Sequence, residues 1–193
     1  MKPRLIIVAG ANGAGKSTLT ARLKRRFGAR LGTILDPDAI ARERTPDNPN
    51  QSAIFAARTV LAALADGLER GSRMVYETTL SDRNRHLELI AAAKAKGFEV
   101  WVLYVGLDVA DMHIRRVRSR ARSGGHDVPD ADIVRRYSRS LRNLETVLSL
   151  ADRVLIYDNS GRMMQRVASI LAGRVRRVSG LGWWLPFVEG LSA

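Results

Sequence analysis

Gly10, Gly15, Lys16 and Ser17 fit the spacing G-x-x-x-x-G-K-[ST], whose chemistry is the capture of phosphate. Glycine at 10, 13 and 15 lets the chain wrap closely around an anion. The N–H groups of Gly10, Ala11, Asn12, Gly13, Ala14, Gly15, Lys16, Ser17 and Thr18 then turn toward a di- or triphosphate. Lys16 is placed to reach the β- and γ-phosphates, the Ser17 hydroxyl to ligate Mg²⁺, and Thr18 to bond the α-phosphate. The context fits the motif. Residues 4–9 are a mostly apolar run of strand length, and residues 17–27 carry Leu19 and Leu23 at helical spacing.

Carboxylates supply a second kind of chemistry. Asp38, two positions beyond a short apolar run ending at Asp36, is suited to take the proton of an attacking hydroxyl, and also to cap the helix that follows it. Asp36, nearer the strand, reads as a structural or tuning group. Glu77 closes a third apolar run beside Thr78 and Thr79, where it can hold the hydroxyls of an acceptor or a water on Mg²⁺. Residues 115–142 contain nine Arg against three Asp, a stronger bias than a solvated face requires. Arg118 and Arg122 are four apart, as are Arg135 and Arg139, so each pair shares a helical face. Gly124, Gly125 and Pro129 between them have the makeup of a hinge, which suggests a lid that closes basic groups over a nucleotide. His126 lies in that turn without Cys or His partners at metal spacing, so no zinc site is expected.

The elements that must carry these groups are legible from periodicity. Strands are expected at residues 4–9, 32–36, 72–77, 98–105 and 151–157, with an antiparallel partner at 163–171. Helices are expected at 17–27, from 38, at 51–70, 82–96, 108–123 and from 129, with a loop at 45–50. In the helix from 108, Val109, Met112, Val117 and Ala121 are the expected inward residues; in the next, Ile133, Tyr137, Leu141, Leu144 and Leu148 form the stripe. Near-continuous apolar strands alternating with helices predict an α/β fold of P-loop type, a mainly parallel sheet with helices on both faces. Ligands in such folds sit beyond the carboxyl ends of the strands, where the phosphate loop, Asp36, Asp38, Glu77, Thr78, Thr79 and residues 106–108 all fall.

With 193 residues, 46% of them hydrophobic, the chain suits one domain, residues 1–172, with the lid at about 115–142. Residues 173–193 read as a basic and aromatic tail, expected to end in a short docked helix, with a partner or membrane-surface contact as the other readings. No Cys is present, which excludes disulfides and Cys-based zinc sites and fits a reducing compartment. The apolar start runs into the phosphate loop instead of a cleavage site, and no 18-residue apolar window occurs. We therefore expect no signal peptide, no transmembrane segment and a cytoplasmic location. The net charge of +13 comes from 32 basic residues, only five of them Lys. Such Arg excess suits phosphate and carboxylate recognition, and it raises nucleic acid or an acidic protein as partners.

No strand ends in the Asp-Glu pair of an energy-coupling ATPase, which favours a small kinase. The motifs GANGAGKST at 10–18, LDPDAIA at 35–41, YETTLS at 76–81, the Arg-rich stretch at 115–144 with its GGHDVP turn, and YDNSG at 157–161 resemble the zeta-toxin family of P-loop kinases, in a short branch. The resemblance implies ATP- or GTP-dependent, Mg²⁺-assisted transfer to a sugar hydroxyl, in the best-known members that of UDP-N-acetylglucosamine. It also implies a small inhibitory antitoxin as a possible partner. By resemblance Asp38 matches the general base, Glu77 the acceptor-binding acid, Lys16 the phosphate lysine, and Arg118 or Arg122 with Arg135 or Arg136 the γ-phosphate clamp.

Two other readings stand beside it. One is a nucleic-acid-binding protein or polynucleotide kinase, weakened because Tyr137 alone supplies an aromatic ring among the lid arginines. The other is a non-catalytic nucleotide-dependent interaction module.

Overall fold

The computed structural model describes residues 2–44, 49–123 and 128–191. Its apolar runs become strands β1 (Arg4–Ala9), β2 (Thr33–Leu35), β3 (Met74–Thr78), β4 (Glu99–Gly106), β5 (Arg153–Asp158), β6 (Gln165–Leu171) and β7 (Arg174–Val178). They form one sheet in the order β2-β3-β1-β4-β5-β6-β7. The first five run parallel, and β6 and β7 are antiparallel additions. The helices are α1 (Lys16–Phe27), α2 (Pro37–Arg44), α3 (Pro49–Glu69), α4 (Arg83–Ala95), α5 (Ala110–Arg122), α6 (Asp130–Leu150) and α7 (Leu185–Glu189).

Alternation along β1 shows why both faces need cover. Leu5 and Ile7 pack with Val60, Leu64, Ile90, Leu144 and Leu148 of α3, α4 and α6, whereas Ile6 and Val8 pack with Leu19 and Leu23 of α1. Burying both faces drives the sheet to the centre of the molecule. Because β1 lies between β3 and β4, the chain order reverses there, and the loop after β1 opens into the crevice that such a reversal creates.

The structure corrects three expectations. In α5 the buried residues are His113 and Val117, with Arg116 and Arg120 half-buried, while Val109 is exposed. The inward face follows Ala110, Ile114, Val117 and Ala121, none of them exposed, so Val117 and Ala121 fall where expected and Val109 does not. Residues 174–178, assigned above to the tail, pair as β7; the alternating Val175 gains cover from the core while Arg174, Arg176 and Arg177 stay exposed on an edge strand. Pro49 and Asn50, expected in a loop, open α3. Residues 45–48 of that loop, and Gly124, Gly125 and His126 of the expected hinge, lie outside the described residues. No helix among the described residues is long and apolar enough to cross a membrane.

The C-terminal segment docks firmly. Trp184 and Val188 are buried in the main core, and the Trp183 ring packs on Tyr104 at 5.8 Å and donates Nε1–H to Asp158 at 3.0 Å. Gly106 makes this possible, since a Cβ there would lie 2.2 Å from the indole. Gly106→Ala is expected to expel Trp183 and lower stability by about 1–3 kcal/mol in urea unfolding; unchanged stability would show that the indole is not held there.

Candidate functional site

The loop between β1 and α1 takes its shape from glycines that other residues cannot replace. Gly10 has φ 140° and a Cβ on it would lie 2.1 Å from the Val105 carbonyl oxygen; Gly15 has φ 106° and would meet the Asn159 side chain at 2.5 Å. Three outside groups hold the loop. Asn159 Nδ2 donates to the Ala14 carbonyl at 2.8 Å, His113 Nδ1 donates to the Asn12 carbonyl at 2.7 Å, and Arg136 Nη1 donates to Asn12 Oδ1 at 3.2 Å. Arg116 in turn donates to the Asn159 carbonyl at 2.7 Å. Asn12 is buried, so its two links join the loop to both α5 and α6.

Two adjoining cavities open from this loop. One of about 290 Å³ is lined by Asn12, Gly13, Gly15, Lys16, Ser17, Thr18, Arg116, Arg120 and Asn159 together with Asp38. The other, about 280 Å³, is lined by Asp36, Tyr76, Glu77, Thr78, Thr79, Arg85, His86 and Arg136 among others, and again by Lys16 and Asp38. Lys16 and Asp38 therefore stand on the boundary between a phosphate-type cavity and a mixed cavity with carboxylates and an apolar wall of Ala57, Val60 and Leu61.

Electrostatics tie the two cavities together. Burial lowers the pKa of Lys16, whose ammonium lies at the foot of the crevice; Asp38, Glu77 and Asp36 act the other way, and Arg120 adds to the lowering. Burial raises the pKa of Glu77 and Asp36 raises it further, while the Thr20 and Ser17 hydroxyls and Lys16 oppose. Ser17 Oγ donates to Glu77 Oε2 at 2.9 Å, so the hydroxyl and carboxylate already sit together. Asp36 Oδ1 accepts the Asp38 backbone N–H at 2.9 Å and so caps the start of α2. The Asp38 carboxylate is thereby relieved of the capping task that sequence allowed it. Thr79 Oγ1 lies 2.8 Å from Ser81 Oγ in the loop after β3.

The lid arginines divide. Arg136 is brought to the loop and to the second cavity. Arg118 instead pairs with Asp130 and Arg135 with Asp132, both near the surface, and Arg122 is exposed; none of the three lines either cavity. Arg116 and Arg120, four apart beside His113 on the true inner face of α5, take the place expected of Arg118 and Arg122. Asn159, His113 and His86 were also missed. The signal for them was weak: one polar residue each, at helix or strand ends. Among the described residues no group of three or more His, Cys, Asp or Glu can hold a metal.

Fold, loop and crevice together define a nucleotide-type phosphate site on an α/β P-loop kinase fold. The chain belongs to the AAA domain family, whose profile matches residues 5–143. It is 30% identical over 138 residues to an uncharacterized protein of Haemophilus influenzae, covering 71% of this chain and 94% of that one. Among solved structures it shares the fold of one from the PezAT chromosomal toxin-antitoxin system of Streptococcus pneumoniae, with TM-score 0.64 and 19% identity over 82% of this chain and 68% of that one. It shares it equally with the AvrRxo1-ORF1:-ORF2 structure with ATP, at TM-score 0.64 and 18% identity over 91% of this chain and 60% of that one. The zeta-toxin resemblance read from the motifs thus agrees with the fold.

His113 gives this site a pH signature. It is 1% exposed; burial lowers its pKa to about 4, against the Asn12 hydrogen bond and with Lys16 and Arg116 adding to the lowering. A depressed folded-state pKa contributes stability that is complete above the unfolded value near 6.5 and is lost as pH falls toward 4, on the order of 1–3 kcal/mol. Urea unfolding between pH 7 and 4.5 should show a shallower pH slope for His113→Gln than for the wild type; equal slopes would remove His113 from the account.

Proposed function

We propose that the protein is a kinase that moves the γ-phosphoryl group of ATP, or of GTP, to a hydroxyl of a sugar-containing small molecule. One observation carries the reading: Lys16 and Asp38 line both cavities, so a phosphate donor in one and a hydroxyl in the other meet at the same two side chains. ATP is supported as the donor by its presence in the AvrRxo1-ORF1:-ORF2 structure of the same fold.

In this mechanism the loop N–H groups, Lys16, Arg116 and Arg120 hold the phosphate oxygens, and Arg136 stands at the junction. Asp38 accepts the proton of the acceptor hydroxyl as its oxygen bonds to the γ-phosphorus and the bond to the β-phosphate oxygen breaks. Ser17 and Glu77 would hold Mg²⁺, which neutralises phosphate charge when bound. Thr78 and Thr79 bound the acceptor side. A nucleotide sugar such as UDP-N-acetylglucosamine is the acceptor that the motif resemblance favours. A small acidic antitoxin-like protein suits the +13 charge and the toxin-antitoxin fold relative. The cytoplasm, where ATP and nucleotide sugars are made, is the proposed location. The exposed Arg174, Arg176 and Arg177 favour a second reading, a polynucleotide acceptor.

Incubation with Mg²⁺, ATP or GTP, and a panel of nucleotide sugars, free sugars and 5′-hydroxyl oligonucleotides tests this. A phosphorylated sugar is expected; phosphorylated oligonucleotide alone would favour the second reading, and nucleotide binding without product the non-catalytic one. Lys16→Ala should abolish transfer with the fold intact. Asp38→Asn should lower kcat roughly 10²- to 10⁴-fold with ATP affinity little changed. Alanine at Arg116, Arg120 or Arg136 should cost on the order of 10² in kcat, and at Arg118, Arg122 or Arg135 about twofold or less. Steady-state kinetics on each variant check the division, and the opposite ranking would return the clamp to the outer arginines.

A further inference from the structure

The loop after β3 carries a hydrogen-bond arrangement that the phosphate chemistry does not call for. His86 is 2% exposed on α4 yet lines the second cavity, its ring stacked on Tyr76 at 6.2 Å and 16°. Its Nδ1 faces the Asp82 backbone carbonyl, which can only accept, so Nδ1 carries the proton. Burial lowers the His86 pKa, against the Asp82 carbonyl and carboxylate and with Arg85 adding to the lowering, so the imidazole is neutral near pH 7. Nε2 is then a bare acceptor, and the Thr78 hydroxyl at 2.9 Å must donate to it.

That commits the one proton of Thr78. Of its two lone pairs, one receives the Leu80 N–H at 3.3 Å, which leaves a single lone pair for anything in the cavity. Leu80 is itself constrained: fully buried, at φ 58°, a backbone region that side-chain-bearing residues avoid. Its carbonyl receives Asn143 Nδ2 from α6 at 2.7 Å, a buried contact across 63 residues of sequence. The loop cannot relax without breaking a buried hydrogen bond, so the polarity of Thr78 is built in.

We propose that His86, with Asn143 bracing the loop, locks the Thr78 hydroxyl as a hydrogen-bond acceptor beside Glu77, so that the site selects a phosphoryl acceptor carrying a second O–H or N–H donor next to the reacting hydroxyl. The inference rests on the kinase reading and narrows its substrate class to polyols and hydroxyl-amides. Molecules whose group at that position is a carbonyl or ether oxygen set a lone pair against the lone pair left on Thr78 and are rejected. Thr78 is a specificity residue in contact with substrate; His86 and Asn143 are positioning residues that act through it.

Two measurements test it. In long-range ¹H–¹⁵N spectra of ¹⁵N-histidine-labelled protein, with His86 assigned by His86→Gln, Nδ1 is expected to bear the proton and Nε2 none. In steady-state kinetics with Mg²⁺, ATP and UDP-N-acetylglucosamine, N-acetylglucosamine or glucose as probes, Thr78→Val should raise acceptor KM about tenfold or more with ATP KM unchanged, and Thr78→Ser should restore it. A deoxy version of the active probe, lacking the hydroxyl beside the phosphorylated one, should lose the same factor with wild type and nothing further with Thr78→Val. An Nε2-protonated His86, or a Thr78→Val enzyme with wild-type acceptor KM, would overturn the lock while leaving the kinase reading intact. Turnover of none of the probes, with the tautomer as stated, would contradict the sugar-acceptor reading and support the lock as a structural fact.

Discussion

Lys16 holds a cation at the foot of a crevice where burial works against its charge, and the surroundings of that ammonium organise the molecule. Asp38, Glu77 and Asp36 counter the burial from the ends of β2 and β3, the strands on one side of β1. Arg116 and Arg120 stand on the other side, on α5. The crevice is therefore polarised across its width. On the proposed reading, an anion would settle toward α5 and an acceptor hydroxyl toward the carboxylates. Parallel strands make this possible because their carboxyl ends all open at one edge of the sheet, so residues far apart in sequence arrive with little loop between them.

Helix α6 carries the second constraint. Arg136, Ser140 and Asn143 follow one another at steps of four and three, on the face turned inward. The first reaches Asn12 in the phosphate loop, the second lies 3.0 Å from the Tyr104 hydroxyl on β4, and the third holds Leu80 in the loop after β3. One rigid element thus spans donor loop, sheet and acceptor loop, with Leu144, Val147 and Leu148 fixing it to the core in the turns beyond. A shift of α6 would be felt in both cavities together.

How much of this was legible follows from how each residue announces itself. The phosphate loop and its flanking strand and helix were plain, since glycine spacing and apolar periodicity are local signals. The parallel sheet followed from near-continuous apolar strands. The polar part of α5's inner face was not legible, because apolar spacing locates Val117 but does not single out His113 beside it. Arg116 and Arg120 were passed over for the same reason. Position gave Asp36 a structural or tuning role and left Asp38 either base or cap; the hydrogen bond from the Asp38 N–H to Asp36 shows that Asp36 is the cap of α2. Likewise β7 hid behind its arginines, which an edge strand tolerates and a central strand would not.

The central claim is that a donor phosphoryl and an acceptor hydroxyl meet between Lys16 and Asp38. Its most direct test is the fate of the γ-phosphoryl of ATP labelled there with ¹⁸O and incubated with the protein, Mg²⁺ and a sugar or nucleotide-sugar acceptor. The account predicts that mass spectrometry finds the intact labelled phosphoryl on the acceptor, at a rate that Asp38→Asn sharply lowers. Label appearing only in free phosphate, at the same rate with and without Asp38, would contradict it.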